Sequence, residues 1–363
     1  MPVRMFSGDG AVAENAALFE SFGSRCALIT GKSAAVKSGA LADVTEALNR
    51  RGISFCLFDG VQPNPSVRSC IVAGHLAYAF GADFVVGIGG GSALDAAKAA
   101  AVFAANPDLD EEGFYRKAWA QAPLPILLVG TTAGTGSEVT RVSVLTDSRG
   151  RKHSIHDNRL FAAASFGDPK YTAALPLSVT LSTGIDVLCH CAESWFNRHA
   201  DALSRTFALQ GIRLLAPPLL QAAEGRDLGH DERAALYDAS LFGGLAICET
   251  GTCFPHNVGY YLTENHGVPH GFASACFLPA LLDLVREKDP KYSDRFFREL
   301  GIARGELLQL ISLCLPESGV VMTAEEIDAA LPRWENNNSV RNTCCEVSTA
   351  EIREILGTLF LKK

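Results

Sequence analysis

The sequence has no clustered face of lysine and arginine, and its formal charge of −8 is the wrong sign for gripping a phosphate backbone. A nucleic-acid partner is therefore not expected; beyond that, the acidic balance indicates only compatibility with water. No apolar run approaches the length of a membrane span, so no membrane partner is expected either. The opening residues Met1–Gly10 are mixed and polar and lack the apolar centre of a secretory signal. The eleven cysteines are odd in number and spread over 363 residues, which argues against a disulfide framework and for reduced thiols in a cytoplasmic protein. Cys26, Cys56, Cys276 and Cys314 lie in apolar runs and read as core filler. Repeats and low-complexity linkers are also missing.

What is present is an ordinary globular balance, 48% hydrophobic and 20% charged. The length suits two domains of about 150 to 200 residues each. Over residues 1–177, short β-type runs alternate with helical stretches. Strands are expected at 26–30, 53–58, 84–88 and 125–129, with helices over 39–51 and 66–81 between them. Such alternation implies an α/β domain with a mostly parallel sheet, whose ligands bind at the carboxyl ends of the strands. After Ser178 the β signal fades into Ala- and Leu-rich stretches at 203–223, 232–247 and 273–287. Residues 178–363 are therefore expected to form an all-α domain.

Two loops carry nucleotide-binding chemistry. Gly87-Ile-Gly-Gly-Gly91-Ser92-Ala-Leu-Asp95 follows a strand and opens a helix, so that backbone N–H groups and the helix N-terminus can meet a pyrophosphate. Ser92 suits the N-cap there, with Asp95 in the first turn. The alternative is a tight turn with a capped helix, and the glycine run departs from the usual dinucleotide fingerprint. The second loop, Thr131-Thr132-Ala-Gly-Thr135-Gly-Ser137-Glu-Val-Thr140, offers hydroxyls from the facing side.

The other half concentrates imidazoles. Asp186 and His190 are four apart, which places them on one helical face, and His256, His266 and His270 follow. One carboxylate with several imidazoles suits Fe²⁺, Zn²⁺, Mn²⁺ or Ni²⁺. An isolated Asp-x3-His pair is most often structural, so spacing alone yields only a candidate metal site. Cys189 and Cys191 flank His190, but on a helix their side chains point away from it, and the packing reading is favoured. Cys344-Cys345 carries no reading.

Taken together, these segments resemble the iron-containing (group III) alcohol dehydrogenase family, in its aldehyde-reductase/butanol-dehydrogenase-like branch. The resemblance rests on Pro63-Asn64-Pro65, Gly89–Lys98, Thr131–Thr140, Asp168-Pro169, Gly184–Glu193, His256 and Pro269-His270-Gly271, in the family's order along nearly the whole chain. It implies a dehydroquinate-synthase-like two-domain architecture with an N-terminal dinucleotide-binding domain. It also implies a metal held by Asp186, His190, His256 and His270, expected to be Fe²⁺, with Zn²⁺ or another divalent ion as the alternative. The same resemblance assigns the pyrophosphate to Gly90, Gly91 and Ser92, the cofactor groove to Asn64, Thr131, Thr132, Thr135 and Ser137, and a cofactor contact to Lys152. Asp95 is included in the cofactor set from its place in the glycine loop.

At the end of the first core strand, NAD-preferring relatives carry an aspartate that holds the ribose 2′-hydroxyl. Here Gly31 leaves room for a 2′-phosphate that Lys32 and Ser33 can bind, so NADP is expected over NAD. The alternative is that Gly31 merely permits a turn. Many relatives also carry a histidine four residues after the third ligand, where this chain has Tyr260. Tyr260 and His266 are the candidates for any catalytic role beyond the metal. The expected reaction is reversible hydride transfer between the nicotinamide and a small or medium alcohol or aldehyde, in a homo-oligomer, by analogy a dimer. A glycerol-dehydrogenase-like polyol enzyme is the first alternative, although His190 argues against it. A dehydroquinate-synthase-like lyase and a nucleotide-binding protein without a metal are the others.

Overall fold

The computed structural model describes residues 2–317 and 319–361, which form two compact units. The first comprises residues 1–176 and 229–237, and the second 177–228 and 238–363. The short segment 229–237, expected with the helical half, thus packs with the α/β unit.

The first unit is built on strands β1 (Arg4–Ser7), β2 (Arg25–Gly31), β3 (Ser54–Val61), β4 (Phe84–Gly89), β5 (Ile126–Gly130), β6 (Val142–Thr146), β7 (Lys152–His156) and β8 (Ala164–Gly167). Six of them form one sheet in the order β1-β8-β5-β4-β2-β3, with every pair parallel. The four strands expected from the hydrophobic runs are β2 to β5. β1 and β8 have only four residues each, too few to display a pattern. β6 and β7 form a separate antiparallel hairpin that the sequence reading does not anticipate.

Helices α1 (Ala40–Arg50), α2 (Val67–Phe80) and α3 (Gly91–Ala105) connect β2, β3, β4 and β5 in turn. α2 runs from a Ser66 N-cap, whose side chain accepts from Ser69 N–H, to Gly81 in the left-handed conformation that ends helices. The central strands β4 and β5 are buried along their whole length, as expected for a parallel sheet covered on both faces. Sequence order reverses between β2 and β4, so their carboxyl ends flank a topological switch point, the usual place for a ligand in such sheets. Gly31-Lys32-Ser33 follows β2 and Gly89-Gly90-Gly91 follows β4.

A buried polar network sets the loops beyond those ends. Lys98 on α3 is fully buried. Its Nζ donates to the Ser137 carbonyl at 2.8 Å, Ser137 Oγ at 2.7 Å and the Val142 carbonyl at 2.8 Å, with Thr140 contributing two longer contacts. Asp95 closes the network, accepting from Ser137 Oγ at 2.6 Å and from Val144 N–H at 2.9 Å. A second buried carboxyl, Glu138, accepts from Tyr237 OH at 2.8 Å. Space for that pair exists because β5 and β8 end in glycines: a Cβ on Gly130 would lie 1.9 Å from Glu138 Oε1, and one on Gly167 would lie 2.1 Å from the Tyr237 ring. Tyr237 thereby ties the segment 229–237 to the sheet.

The second unit is helical, without strands beyond isolated bridges among the described residues. Its site is carried by α4 (Leu177–Trp195), which packs on α5 (Ala202–Ala223). The helix α6 (His230–Thr250) then leads to α7 (Phe254–His266) and α8 (His270–Ala275). The expected helix over 273–287 is in fact two, since α8 stops at Ala275 and another runs from Leu278 to Lys288. Pro279 falls in the first turn of the latter, where its missing N–H costs nothing. No helix among the described residues is long and apolar enough to cross a membrane.

Replacing Lys98 by Met should lower stability by about 3 kcal/mol, because it strands Asp95 and several oxygens in the interior. Urea denaturation of the variant, compared with the unmodified chain, measures this.

Candidate metal centre and nucleotide loops

α4 is a long helix whose C-terminal two-thirds, from Gly184 to Trp195, is buried throughout. Asp186 and His190 project from the same face one turn apart, as their spacing predicts. α7 contributes His256 and the N-terminus of α8 contributes His270. The four side chains converge. Asp186 Oδ1 lies 3.4 Å from His256 Nε2 and 3.8 Å from His270 Nε2, and Asp186 Oδ2 lies 3.9 Å from His190 Nε2. The His190 and His256 rings stack with centroids 4.8 Å apart.

Two glycines permit this convergence. A Cβ on Gly271 would sit 1.8 Å from the Ser182 carbonyl of α4, and one on Gly259 would sit 2.7 Å from the Ala273 carbonyl of α8. Backbone therefore approaches backbone on both sides of His270.

The electrostatics are those of a centre that expects a cation. Burial by itself would raise the Asp186 carboxyl, but His190, His270 and His256 around it hold it well below the usual carboxylate range. For His256, burial works against the charged form. Glu193 and Asp186 more than offset that, and the imidazole is pushed up to about 10. Asp186 Oδ1 and His256 Nε2 are both buried and without a hydrogen-bond partner. Orphaned atoms of this kind are rare in folded proteins, and two facing each other mark a place for an ion.

The donor set fits one. Ligand bonds of about 2.0–2.2 Å to a divalent ion put neighbouring donor atoms about 3–4 Å apart. The ligand atoms of Asp186, His190 and His256 all lie within 4.8 Å of one another, and His270 approaches Asp186 at 3.8 Å. Glu193, which the sequence reading leaves without a role, accepts from His256 Nδ1 at 2.5 Å. Helical spacing held the clue, since Glu193 is seven residues after Asp186 and so on the same face of α4.

Neighbouring candidates separate from this group. The ring of His266 is turned to Glu326, with Nε2 2.8 Å from Oε1, the same oxygen that accepts from Tyr261 OH. His266, a candidate for a catalytic role, is thus engaged by Glu326. Tyr260 does lie beside the site, its ring 5.4 Å from that of His270 and nearly parallel to it. Cys189 and Cys191 are fully buried, and burial pushes both thiols up, away from the thiolate that a metal ligand requires. Cys191 packs where α5 has Gly211, whose Cβ would meet the sulfur at 2.6 Å.

In the first unit, the glycine loop and the threonine loop face each other closely. A Cβ on Gly90 would lie 2.9 Å from Thr132 Oγ1, and one on Gly91 would lie 2.5 Å from Thr135 Cγ2. Thr131 Oγ1 is buried and has no hydrogen-bond partner. α3 begins at Gly91 with Gly90 as a cap that makes no side-chain hydrogen bond, so Ser92 lies inside the helix and is not its N-cap. Asp95 correspondingly falls beyond the first turn. Asp95 and Ser137, expected at the cofactor, direct their polar atoms to each other, to Lys98 and to Val144 N–H. They frame the loops.

Lys152 opens β7 opposite Thr146, and its charge acts on Asp95. Asn64 takes the left-handed conformation at φ 54°, and its carbonyl accepts from Thr146 Oγ1. Lys32 and Ser33 are exposed beyond β2. Gly31 has no positive φ; its Cβ would instead meet the Val61 carbonyl at 3.1 Å. A close strand approach, not a turn, is thus the packing reason for glycine here.

The sequence matches the iron-containing alcohol dehydrogenase family over residues 2–169 and that family's C-terminal region over residues 180–309. It is 33% identical over 293 residues to alcohol dehydrogenase 4 of Schizosaccharomyces pombe, covering 79% of this chain and 68% of that one. Its fold is similar to the crystal structure of an iron-containing alcohol dehydrogenase from Thermotoga maritima, with a TM-score of 0.91 and 32% identity over 99% of this chain and 98% of that one. It is also similar to sulfoacetaldehyde reductase from Bifidobacterium kashiwanohense in complex with NAD⁺, with a TM-score of 0.87 and 27% identity over 99% and 97% of the two chains.

Gly271→Ala should force α8 away from α4, lowering stability by about 1–3 kcal/mol through overpacking and weakening metal binding by displacing His270. Thermal denaturation and metal titration of the variant report on the two effects separately.

Proposed function

The chain belongs to the iron-containing alcohol dehydrogenase family, and from that premise we propose that it is an NADP-preferring alcohol dehydrogenase and aldehyde reductase. The reaction is R-CH₂OH + NADP⁺ giving R-CHO + NADPH + H⁺, reversibly, on a small or medium and fairly apolar substrate. The observation that carries the reading is the buried Asp186 ringed by His190, His256 and His270, with two facing donor atoms left without hydrogen-bond partners. Asp186, His190, His256 and His270 would hold the ion, Fe²⁺ by family or Zn²⁺ by donor chemistry. When bound, such an ion supplies Lewis-acid polarisation of the substrate oxygen, and the nicotinamide supplies or accepts the hydride.

The chain's own residues provide position and field. Gly90, Gly91 and Ser92 present backbone N–H groups at the start of α3 to the pyrophosphate. Thr131, Thr132 and Thr135 line the groove from the facing loop, with Asn64 and Lys152 beside it. Asp95 and Ser137 act through Lys98 to keep the two loops in register. Tyr260 lies against the His270 ring, and we assign it to orienting that ring and bounding the substrate space. His266 is hydrogen-bonded to Glu326. The chain is expected to work in the cytoplasm as a homodimer.

NADP preference rests on Gly31, which leaves the 2′ position unobstructed, and on the exposed Lys32 and Ser33 beside it. Introducing an acidic residue at Gly31 would confuse charge with the clash at Val61, so Lys32 is the cleaner test. Lys32→Ala should raise the KM for NADPH about tenfold, the loss of one charge-assisted hydrogen bond, and leave the KM for NADH unchanged. Equal efficiency with NADH and NADPH in the unmodified enzyme would sink the NADP assignment.

Metal analysis of the protein reconstituted anaerobically with Fe²⁺ or Zn²⁺ should give one ion per chain, and Asp186→Asn should abolish it together with aldehyde reduction. Stoichiometric consumption of NADPH against a panel of aldehydes distinguishes this activity from a lyase that recycles its nucleotide. Metal-free protein that no divalent ion activates would overturn the reading.

A further inference from the structure

Glu193 is a fully buried carboxylate whose two oxygens both serve the segment that carries His256. Oε1 accepts from the ring at Nδ1, 2.5 Å away. Oε2 accepts from the Cys253 backbone N–H at 2.7 Å and more distantly from the His256 backbone N–H at 3.4 Å. Cys253 is the N-cap of α7 and makes no side-chain cap of its own, while Pro255 has no N–H to satisfy. A carboxylate supplied by α4 therefore takes the place of the missing cap, where the helix dipole also favours negative charge.

We propose that Glu193 is the positioning residue of the metal centre, holding the His256 ring in one tautomer and the start of α7 in one register. A neutral imidazole carries its proton on one nitrogen and offers the lone pair of the other. An ionised carboxylate can only accept. Glu193 therefore keeps the proton on Nδ1 and leaves Nε2 as the donor atom, and Nε2 is the nitrogen that lies 3.4 Å from Asp186 Oδ1. Asp186, His190 and Glu193 occupy positions i, i+4 and i+7 of α4, so a single helical face carries two ligands and the support for a third. Ring orientation and backbone register are set by the same group, which links metal affinity to the order of the α7 N-terminus.

This inference rests on the metal reading above, and the experiment separates the two. Zinc affinity is measured by competition with a chromophoric chelator for the wild-type chain and for Glu193→Gln. Thermal denaturation of both metal-free proteins and NADPH affinity are followed in parallel. The amide keeps the size of the side chain but has one oxygen for three N–H donors. The expected result is one zinc per wild-type chain, about 10–100-fold weaker binding in the variant, and unchanged NADPH affinity.

Wild-type protein that takes up no zinc defeats the metal reading and this inference with it. Wild-type binding with the variant within twofold overturns the role of Glu193 alone, as does a variant that loses thermal stability while keeping its zinc affinity. If the variant does not fold, nitrogen-15 NMR of histidine-labelled, zinc-loaded wild-type protein decides. His256 should carry its proton on Nδ1 and zinc on Nε2, and the opposite assignment overturns the proposal.

Discussion

Two carboxylates buried on one face of α4 impose the main constraint on the helical unit. An ionised carboxylate removed from water is costly unless positive charge or several N–H donors surround it. Around Asp186 the surrounding groups are imidazoles; around Glu193 they are a ring N–H and the N-terminus of α7. Much of the local architecture follows. α7 must begin where its N–H groups meet Glu193, α8 must begin where His270 meets Asp186, and both need glycines at the points where backbones touch. Satisfying the carboxylates therefore assembles the candidate ligands.

The same logic operates in the α/β unit with the opposite sign at its centre. There a buried ammonium, Lys98, is surrounded by carbonyl and hydroxyl oxygens from the threonine loop and the start of β6. This network holds the loops after β4 and β5 in fixed relation, so the glycine backbone and the threonine hydroxyls are ordered before any ligand binds. Preorganisation of that kind spares binding energy that ordering would otherwise consume. It also explains why the polar residues of these loops divide into two sets. Asp95, Ser137 and Glu138 are engaged inside the protein, whereas Thr132, Thr135 and the glycine backbone line the opposite faces of the two loops.

Which features could be read from the chain depended on how local their cause is. β2, β4 and β5 announce themselves as largely apolar runs ending in glycine because parallel strands inside the sheet are covered on both faces, while the edge strand β3 shows a weaker, mixed run. β1 and β8 are too short for such a signal, and their place in the sheet depends on pairing partners far away in sequence. The N-terminus of α3 lies two residues before the expected cap because Ser92 is a good cap in general, whereas Gly90 there is selected by the approach of Thr132. His266 looked like a possible catalyst by its distance from His256. Only the packing of residues 323–330 shows that Glu326 occupies its ring.

Helical spacing by itself determined that Asp186, His190 and Glu193 share a face, because the α-helix repeats every 3.6 residues whatever surrounds it. The glycine and threonine loops were legible as following strands, since the apolar runs before them are short, rich in β-type residues and end in glycine. Tertiary structure decided the rest. It brought His256 and His270 to Asp186, engaged Asp95 and Ser137 with each other, Lys98 and Val144 N–H, and gave Glu193 a partner 63 residues away. Those outcomes depend on how helices pack and where buried charge finds its compensation. Such energies belong to contacts between distant segments and leave no periodic trace along the chain.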